Sequence, residues 1–432
     1  MKTLYRTDYV GDITPDMDGQ TVVVSGWVHE IRNIGKIVFI LLRDRTGIIQ
    51  IIGKEGVVND DIIKSMSMPK ESVIMVKGVI KKNQESKSGF EIIPLEITNL
   101  NPLELMMPFE VTGKVPADID VRLDNRHIDL RRLETTSIFK IQSTILNSFR
   151  NTMLKEKFTE IRTPSLVEAA TEGGSDLFEV EYFEKKAFLA QSPQLYKQLS
   201  IIGGMDRVFM IVPVFRAEKH NTIYHLNEIT QMDAEIGFAD HNDAIRMLKN
   251  TVKRIFSDVA TNNNADLKRL NSGLKEEKIK EITYKKALSI LNSEGHEIEF
   301  GQDFSREHEE TLCSVVSNVL IVKEFPSSVR AFYSMPNEKD KQVCNSFDML
   351  YNGLEISSGA QRIHIPSMLI QSIKEHGLNP ENFDFYVNAF KQGSPPHAGW
   401  SLGLERLTMK IANVHNIREC SLFPRDRVRL KP

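Results

Sequence analysis

The chain has 432 residues, a length that suits two or three domains. Its 41% hydrophobic and 26% charged content fits a globular fold, and a formal net charge of −3 excludes a generally basic nucleic-acid binder while leaving room for a local basic face. Three scattered cysteines without a CxxC argue against zinc and a disulfide framework, no apolar run could span a membrane, and the start MKTLYRTDYVGDI lacks a signal-peptide core. These features fit a reducing, cytoplasmic setting.

In chain order, residues 1–104 predict a small β-barrel. "TVVVSGWVHEIR", "KIVFILLRDRTGIIQIIG", "ESVIMVKGVIKK" and "FEIIPLEITNL" are β-branched runs separated by polar or Gly-containing turns. "VVNDDIIKSMSM" looks helical and falls between the third and fourth strands. That is the order of an OB-fold, a nucleic-acid-binding barrel. A barrel without a ligand is the alternative. Residues 105–134 are rich in Pro and charge with weak periodicity and read as a hinge or linker. From Ser137, "SIFKIQSTILNSFRNTMLKEKF" carries apolar residues at three- and four-residue spacing, a helix. Strands and helices then alternate unevenly to the end. Strands outnumber crossovers, so residues 135–432 predict a mostly antiparallel sheet flanked by helices, making the whole chain α+β.

Five stretches carry candidate chemistry. "TEIRTPSL" pairs a short strand with Pro164 and says little alone. "FLAQSPQLYKQ" starts as a strand and ends as a helix, with Gln194 and Lys197 on one helical face. That pair suits a small ligand with a carboxylate; a solvated Lys on an amphipathic helix competes. In "VFRAEKHNTIYHLNEITQMDAEIGF", Arg216 and Glu218 alternate at a strand end and His225 opens the returning strand. Together they could hold a polyphosphate and a purine amino group, or form the ion pairs of a surface hairpin. "FDMLYNGLEISSG" puts Asp348 and Glu355 on either side of an Asn-Gly turn, with Ser358 beyond, an oxygen set suited to Mg²⁺. "PPHAGWSLGLERL" ends a strand in small residues and puts Arg406 in the first turn of a helix, a weak anion-site pattern.

Together these pieces resemble a class II aminoacyl-tRNA synthetase. The segment ending at Pro164, "FRAE" with the loop to His225, and "SLGLER" resemble its three signatures. The N-terminal barrel narrows the likeness to the aspartyl, asparaginyl and lysyl group. "TEGGSDLF", "FLAQSPQLYKQ" and "GLEISSGAQR" are similar to the aspartyl versions, in the compact archaeal form without a large insertion. The resemblance implies ATP-dependent activation of L-aspartate and its transfer to the 3′ end of tRNA(Asp), or of both tRNA(Asp) and tRNA(Asn). It implies that Glu172, Gln194, Lys197, Arg216, Asp233, Ser358 and Arg362 bind aspartate. It assigns ATP to Arg216, Ala217, Glu218, Tyr224, His225, Leu226, Glu355, Gly403, Leu404, Glu405 and Arg406. Mg²⁺ falls to Asp348, Glu355 and Ser358, and the anticodon to His29, Phe39, Gln50 and Lys87. A homodimer joined near the first signature follows as well. The alternatives are an asparaginyl-tRNA synthetase and a divergent synthetase paralogue.

Three residues depart from the pattern. Tyr224 stands where Arg is frequent, Ile229 where an aromatic stacks on adenine, and Lys157 where Gly is common. At the anticodon end the signals conflict. His at position 29 accompanies relaxed enzymes, whereas Lys at position 87 accompanies strict ones.

Overall fold

Alternation of branched apolar residues builds the first unit. The computed structural model describes residues 3–86, 88–168, 177–275 and 278–432, and the chain divides into units 1–136 and 137–432. In the first, β1 (Thr21–Ile34), β2 (Ile37–Arg43) and β3 (Ile48–Lys54) precede a short helix, α1 (Asp60–Ser65). β4 (Val73–Lys82) and β5 (Phe90–Asn101) follow, and the strands close a barrel in the order β1-β2-β3-β5-β4. Val24, Ile40, Leu42, Ile51, Val76 and Ile92 are fully buried inside it. Gly26 lets β1 run close to β2: a Cβ there would lie 2.2 Å from the Arg43 carbonyl oxygen.

The stretch expected to be a linker carries structure of its own. It contains α2 (Ile119–Asp124), capped by the Asp118 side chain on the Asp120 N–H, and α3 (Arg126–Asp129). Leu123 and Ile128 are buried, and Arg126 and Asp129 are both 0% exposed. Asp129 accepts from Arg122 Nε at 2.8 Å and from Arg126 at 2.5 Å. Two helices this short show no readable period, and a buried ion network rather than a slack tether holds them.

α4 (Leu133–Lys155) begins four residues before the expected Ser137. Just past its end, Lys157 adopts φ +64°, the left-handed region that favours glycine. The frequent Gly at that place thus has a conformational reason. β6 (Thr159–Glu160), β7 (Leu166–Val167), β8 (Glu179–Tyr182) and β9 (Lys185–Leu189) come next, the last three forming a small sheet ordered β7-β9-β8. Then come α5 (Gln194–Ser200), β10 (Arg207–Phe215), β11 (Glu228–Gly237), α6 (His241–Asn262), α7 (Asn264–Arg269), β12 (Lys280–Thr283) and α8 (Tyr284–Ser293). The chain continues with α9 (Arg306–Val315), β13 (Val319–Lys323), β14 (Ser346–Tyr351), β15 (Glu355–Gln361), α10 (Pro366–Glu375), α11 (Asp384–Lys391), β16 (His397–Gly403) and α12 (Leu404–Ile411).

Eight of these strands form one sheet, β12-β13-β14-β15-β16-β11-β10-β6, antiparallel except for the pairs β12-β13 and β10-β6. Ile145 and Phe149 of α4, Leu248 and Ile255 of α6, and Leu407 of α12 pack with Phe209, Met232, Phe347 and Trp400 of the sheet in the main core. A second cluster joins Leu195 of α5 to Leu369, Ile373, Tyr386 and Phe390 of α10 and α11. Asn352 and Gly353, both at positive φ, make the turn between β14 and β15 that the Asn-Gly pair predicts.

Candidate active site

α5 starts directly after Pro193, and its first turn carries Gln194 and Lys197, 5% and 1% exposed. A solvated Lys is therefore excluded. Lys197 Nζ donates to Asp233 Oδ1 at 2.6 Å and lies 3.4 Å from Glu235 Oε2. Asp233 and Glu235 stand two apart on β11 and share a face. Ser401, register partner of Asp233 on β16, donates to its other oxygen at 3.1 Å. Arg362, one residue past β15, forks onto Glu235 at 2.9 and 3.2 Å. Burial alone would raise the Glu235 carboxyl; Arg362 and Lys197 outweigh it and hold that carboxyl below the usual range. Gly399 makes room for this group, since a Cβ there would lie 2.0 Å from Glu235 Oε2. The Gln194 amide nitrogen is buried and has no hydrogen-bond partner among the described residues. Glu235 was not singled out from sequence.

These side chains line or back one end of a cleft of about 470 Å³. Arg216, Glu218, Tyr224, His225, Leu226, Glu355, Gly403, Glu405 and Arg406 line the same cleft. The hairpin geometry differs from expectation. The β10–β11 ladder ends at Phe215↔Glu228, so Arg216 and Glu218 follow the strand and His225 lies in the loop before β11. Beyond the last rung, alternation no longer dictates facing. His225 Nε2 still comes within 3.7 Å of Glu218, and burial lowers the imidazole below its ordinary value. Arg406, in the first turn of α12, donates to the Glu355 carbonyl at 3.1 Å and to its carboxylate at 3.2 Å. Glu405 faces the cleft but braces β11, both carboxylate oxygens accepting from the Thr230 N–H at 3.1 and 3.0 Å; burial pushes it up to about 7. Leu404 turns into the main core, and Ala217 is not part of the cleft lining. Tyr224 carries the Arg306 guanidinium of α9 over its ring at 4.4 Å, and Ile229 packs against the main core.

Asp348 and Ser358 are register partners on β14 and β15, and Glu355 opens β15. Arg330 forks onto both Asp348 oxygens, with its Nη1 also 3.3 Å from Ser358 Oγ. Burial, offset in part by Arg330 and reinforced by Glu355, pushes the Asp348 carboxyl up to about 6. Among the described residues no three His, Cys, Asp or Glu side chains group as a metal set. Two carboxylates and a hydroxyl do suit a hard divalent cation that brings phosphate oxygens with it. Arg330 escaped the sequence reading.

On the barrel, Phe39 is half-buried and lies outside the core that holds its neighbours Ile40 and Leu42, so it occupies the outer face. Gln50 donates to Glu91 at 3.0 Å. His29 Nδ1 lies 2.8 Å from Arg43, whose guanidinium also pairs with Glu71 at 2.8 Å. Burial and then Arg43 hold the His29 ring below its ordinary value. Glu172 and Lys87 lie outside the described residues.

Comparison with known proteins adds to this geometry. Residues 118–427 match the model of class II tRNA synthetases (D, K and N), and residues 22–100 match that of the OB-fold nucleic acid binding domain. The aspartate–tRNA(Asp/Asn) ligase of Methanocaldococcus jannaschii is 49% identical over 99% of this chain and 98% of its own length. Among solved structures, asparaginyl-tRNA synthetase from Pyrococcus horikoshii complexed with asparaginyl-adenylate matches with a TM-score of 0.94 at 30% identity, covering 100% of both chains. A putative aspartyl-tRNA synthetase from Leishmania major matches with a TM-score of 0.90 at 29% identity, covering 100% of this chain and 96% of that one.

Proposed function

Because the chain belongs to the class II tRNA synthetases (D, K and N), we infer from its full-length relatives that it is an aspartate–tRNA ligase. It activates L-aspartate with ATP and transfers the aspartyl group to tRNA. The aspartate carboxylate attacks the α-phosphorus, pyrophosphate leaves, and the terminal adenosine hydroxyl of tRNA takes the acyl group. No side-chain nucleophile is needed; positioning and charge do the catalysis.

The observation that carries the substrate assignment is the pairing of Lys197 and Arg362, both almost fully buried beside the cleft. In this reading they receive the substrate's side-chain carboxylate, Asp233 receives its ammonium, and the unpartnered Gln194 amide meets an acceptor on the substrate. Glu172 completes the set in this proposal. Asparagine is not refused for want of charge balance, because Asp233 and Glu235 already neutralise the two cations. What disfavours it is that Lys197 and Arg362 offer only donors while the oxygens of Asp233 and Glu235 beside them are already engaged by Lys197, Ser401 and Arg362, so the N–H₂ of an amide competes for occupied acceptors. The fold alone does not divide the two substrates, as the match to an asparaginyl enzyme illustrates.

In the nucleotide half, Arg216 faces the α-phosphate, and Arg406 with His225 faces the outer phosphates or adenine. Glu218 reads the adenine amino group or the tRNA end. Glu355 and Ser358 would hold Mg²⁺, which neutralises phosphate charge when bound. We further propose a cytoplasmic homodimer; exposed Leu154 and Leu166, flanking the first signature, offer apolar surface for a second copy. The strand expected there is shorter than its sequence suggests, ending at Glu160.

We also propose that the enzyme charges both tRNA(Asp) and tRNA(Asn), as the names of its relatives indicate for them. His29 points the same way, whereas Lys87 points to a strict enzyme. Purified tRNA(Asp) and tRNA(Asn), offered side by side, should both accept aspartate. Charging of tRNA(Asp) alone would overturn dual use, and activation of asparagine in pyrophosphate exchange would favour the asparaginyl alternative. Phe39 is the proposed stacking platform for an anticodon base. Phe39→Ala should weaken tRNA charging by roughly 1–3 kcal/mol while leaving pyrophosphate exchange and the melting curve almost unchanged. Equal loss of both activities with early melting would remove the anticodon role.

A further inference from the structure

Arg330 is a cation built into the cleft wall. It lies in the coil after β13, just beyond a short helical turn at Ser327–Val329. Its side chain is 14% exposed and its guanidinium lies 3.7 Å from the Phe325 ring centroid, which fixes the plane of the fork. His376 holds the backbone from the other side, its Nε2 lying 2.9 Å from the Arg330 carbonyl oxygen. The fork spans both oxygens of Asp348 and reaches Ser358. Of the three oxygen-bearing residues that suit a divalent cation, two are thus engaged by one guanidinium. Glu355 differs: its side chain is 34% exposed and meets Arg406 through Oε2 at 3.2 Å.

Each of the two carboxylates already holds a cation without a metal, and Asp303 on the cleft wall and Glu309 beside Glu355 add further carboxyls. Asp348 and Glu355 supply two negative charges, and Arg330 and Arg406 supply two positive ones. A lone divalent ion entering here would meet one guanidinium already seated on the better-buried carboxylate. ATP changes the sum, because its phosphates bring both negative charge and oxygen ligands.

We propose that Arg330 is a positioning residue that withholds Asp348 from metal coordination, so that a divalent cation enters the cleft with the nucleotide's phosphates and not alone. The inference rests on the proposed Mg²⁺ role of Glu355 and Ser358. Arg330 thereby makes metal and nucleotide binding cooperative: each occupies the site poorly without the other.

The test is Mn²⁺ binding by full-length protein in equilibrium dialysis with and without ATP, read as the metal held on the protein side in excess of the free and ATP-bound Mn²⁺ on the other. Wild type should retain Mn²⁺ with ATP and retain it at least about tenfold less tightly without ATP. Arg330→Met, which frees Asp348 and Ser358, should gain nucleotide-independent Mn²⁺ binding by about tenfold. Arg330→Lys, which keeps a charge on Asp348, should remain near wild type, and Asp348→Asn should keep Mn²⁺–ATP binding. Loss of Mn²⁺–ATP binding in Asp348→Asn, or no gain in a folded Arg330→Met, would overturn the inference while leaving the metal reading intact. Wild type binding Mn²⁺ equally well without ATP overturns it without recourse to any variant. Wild type failing to retain Mn²⁺ even with ATP overturns both the inference and the metal role of Glu355 and Ser358.

Discussion

Replacing Lys197 by methionine is expected to raise the KM for aspartate by a factor of about thirty to several thousand, with ATP binding little changed. Methionine keeps most of the volume of the stem, so the charge is the principal loss. The ammonium is 1% exposed and sits between Asp233 at 2.6 Å and Glu235 at 3.4 Å. Without it, the incoming side-chain carboxylate meets two buried carboxylates and Arg362 alone. Truncating one partner of a buried charged pair typically costs 2–5 kcal/mol, which gives the stated range at about 1.4 kcal/mol per tenfold. Pyrophosphate exchange at varied aspartate and then at varied ATP separates the two substrates. An aspartate KM unchanged in a folded variant would end the assignment of Lys197 to the substrate.

Asp129→Asn should destabilise the N-terminal unit by about 3–5 kcal/mol, the usual cost of breaking a buried ion pair by removing one partner. Asp129 is fully buried and takes Nε of Arg122 and Nη1 of Arg126, and Arg126 is equally buried. The amide keeps the shape but removes the charge and puts an N–H₂ donor against guanidinium donors. Denaturant unfolding followed by circular dichroism should show a lowered midpoint. A shift worth less than about 1 kcal/mol would mean that the pair is weak, as exposed pairs are, despite its burial.

Much of the architecture was legible because local pattern and global fold agree. The β-branched runs of the barrel alternate inward as they read, the Pro-Gln join of "QSPQLYKQ" opens α5, and Asn352-Gly353 turns β14 into β15. What escaped depends on topology. Glu235 looks like any residue of "DAEIGF"; only the placement of β11 beside β16, next to β15, brings it to Arg362, distant in the chain. Arg330 lies in irregular backbone, where no period assigns a facing, and its role comes from Asp348 on a strand formed later. Arg216 and Glu218 were misplaced because side-chain alternation outlasts the ladder, which stops at Phe215. The ion network around Asp129 has helices too short to announce themselves.

The sheet order has a consequence for how the chain is made. β16, from His397 to Gly403, is synthesised after every other strand of the sheet, yet it lies between β15 and β11 in the middle of it. Until it arrives, both neighbours have a bare hydrogen-bonding edge, and Ser401 and Gly403 are missing from the cleft. The long-range pairings therefore close late, a slow and exposed step in folding. A message cut short before His397 would yield a polypeptide with sticky edges and no assembled cleft, fit for proteolysis and unable to work at partial strength.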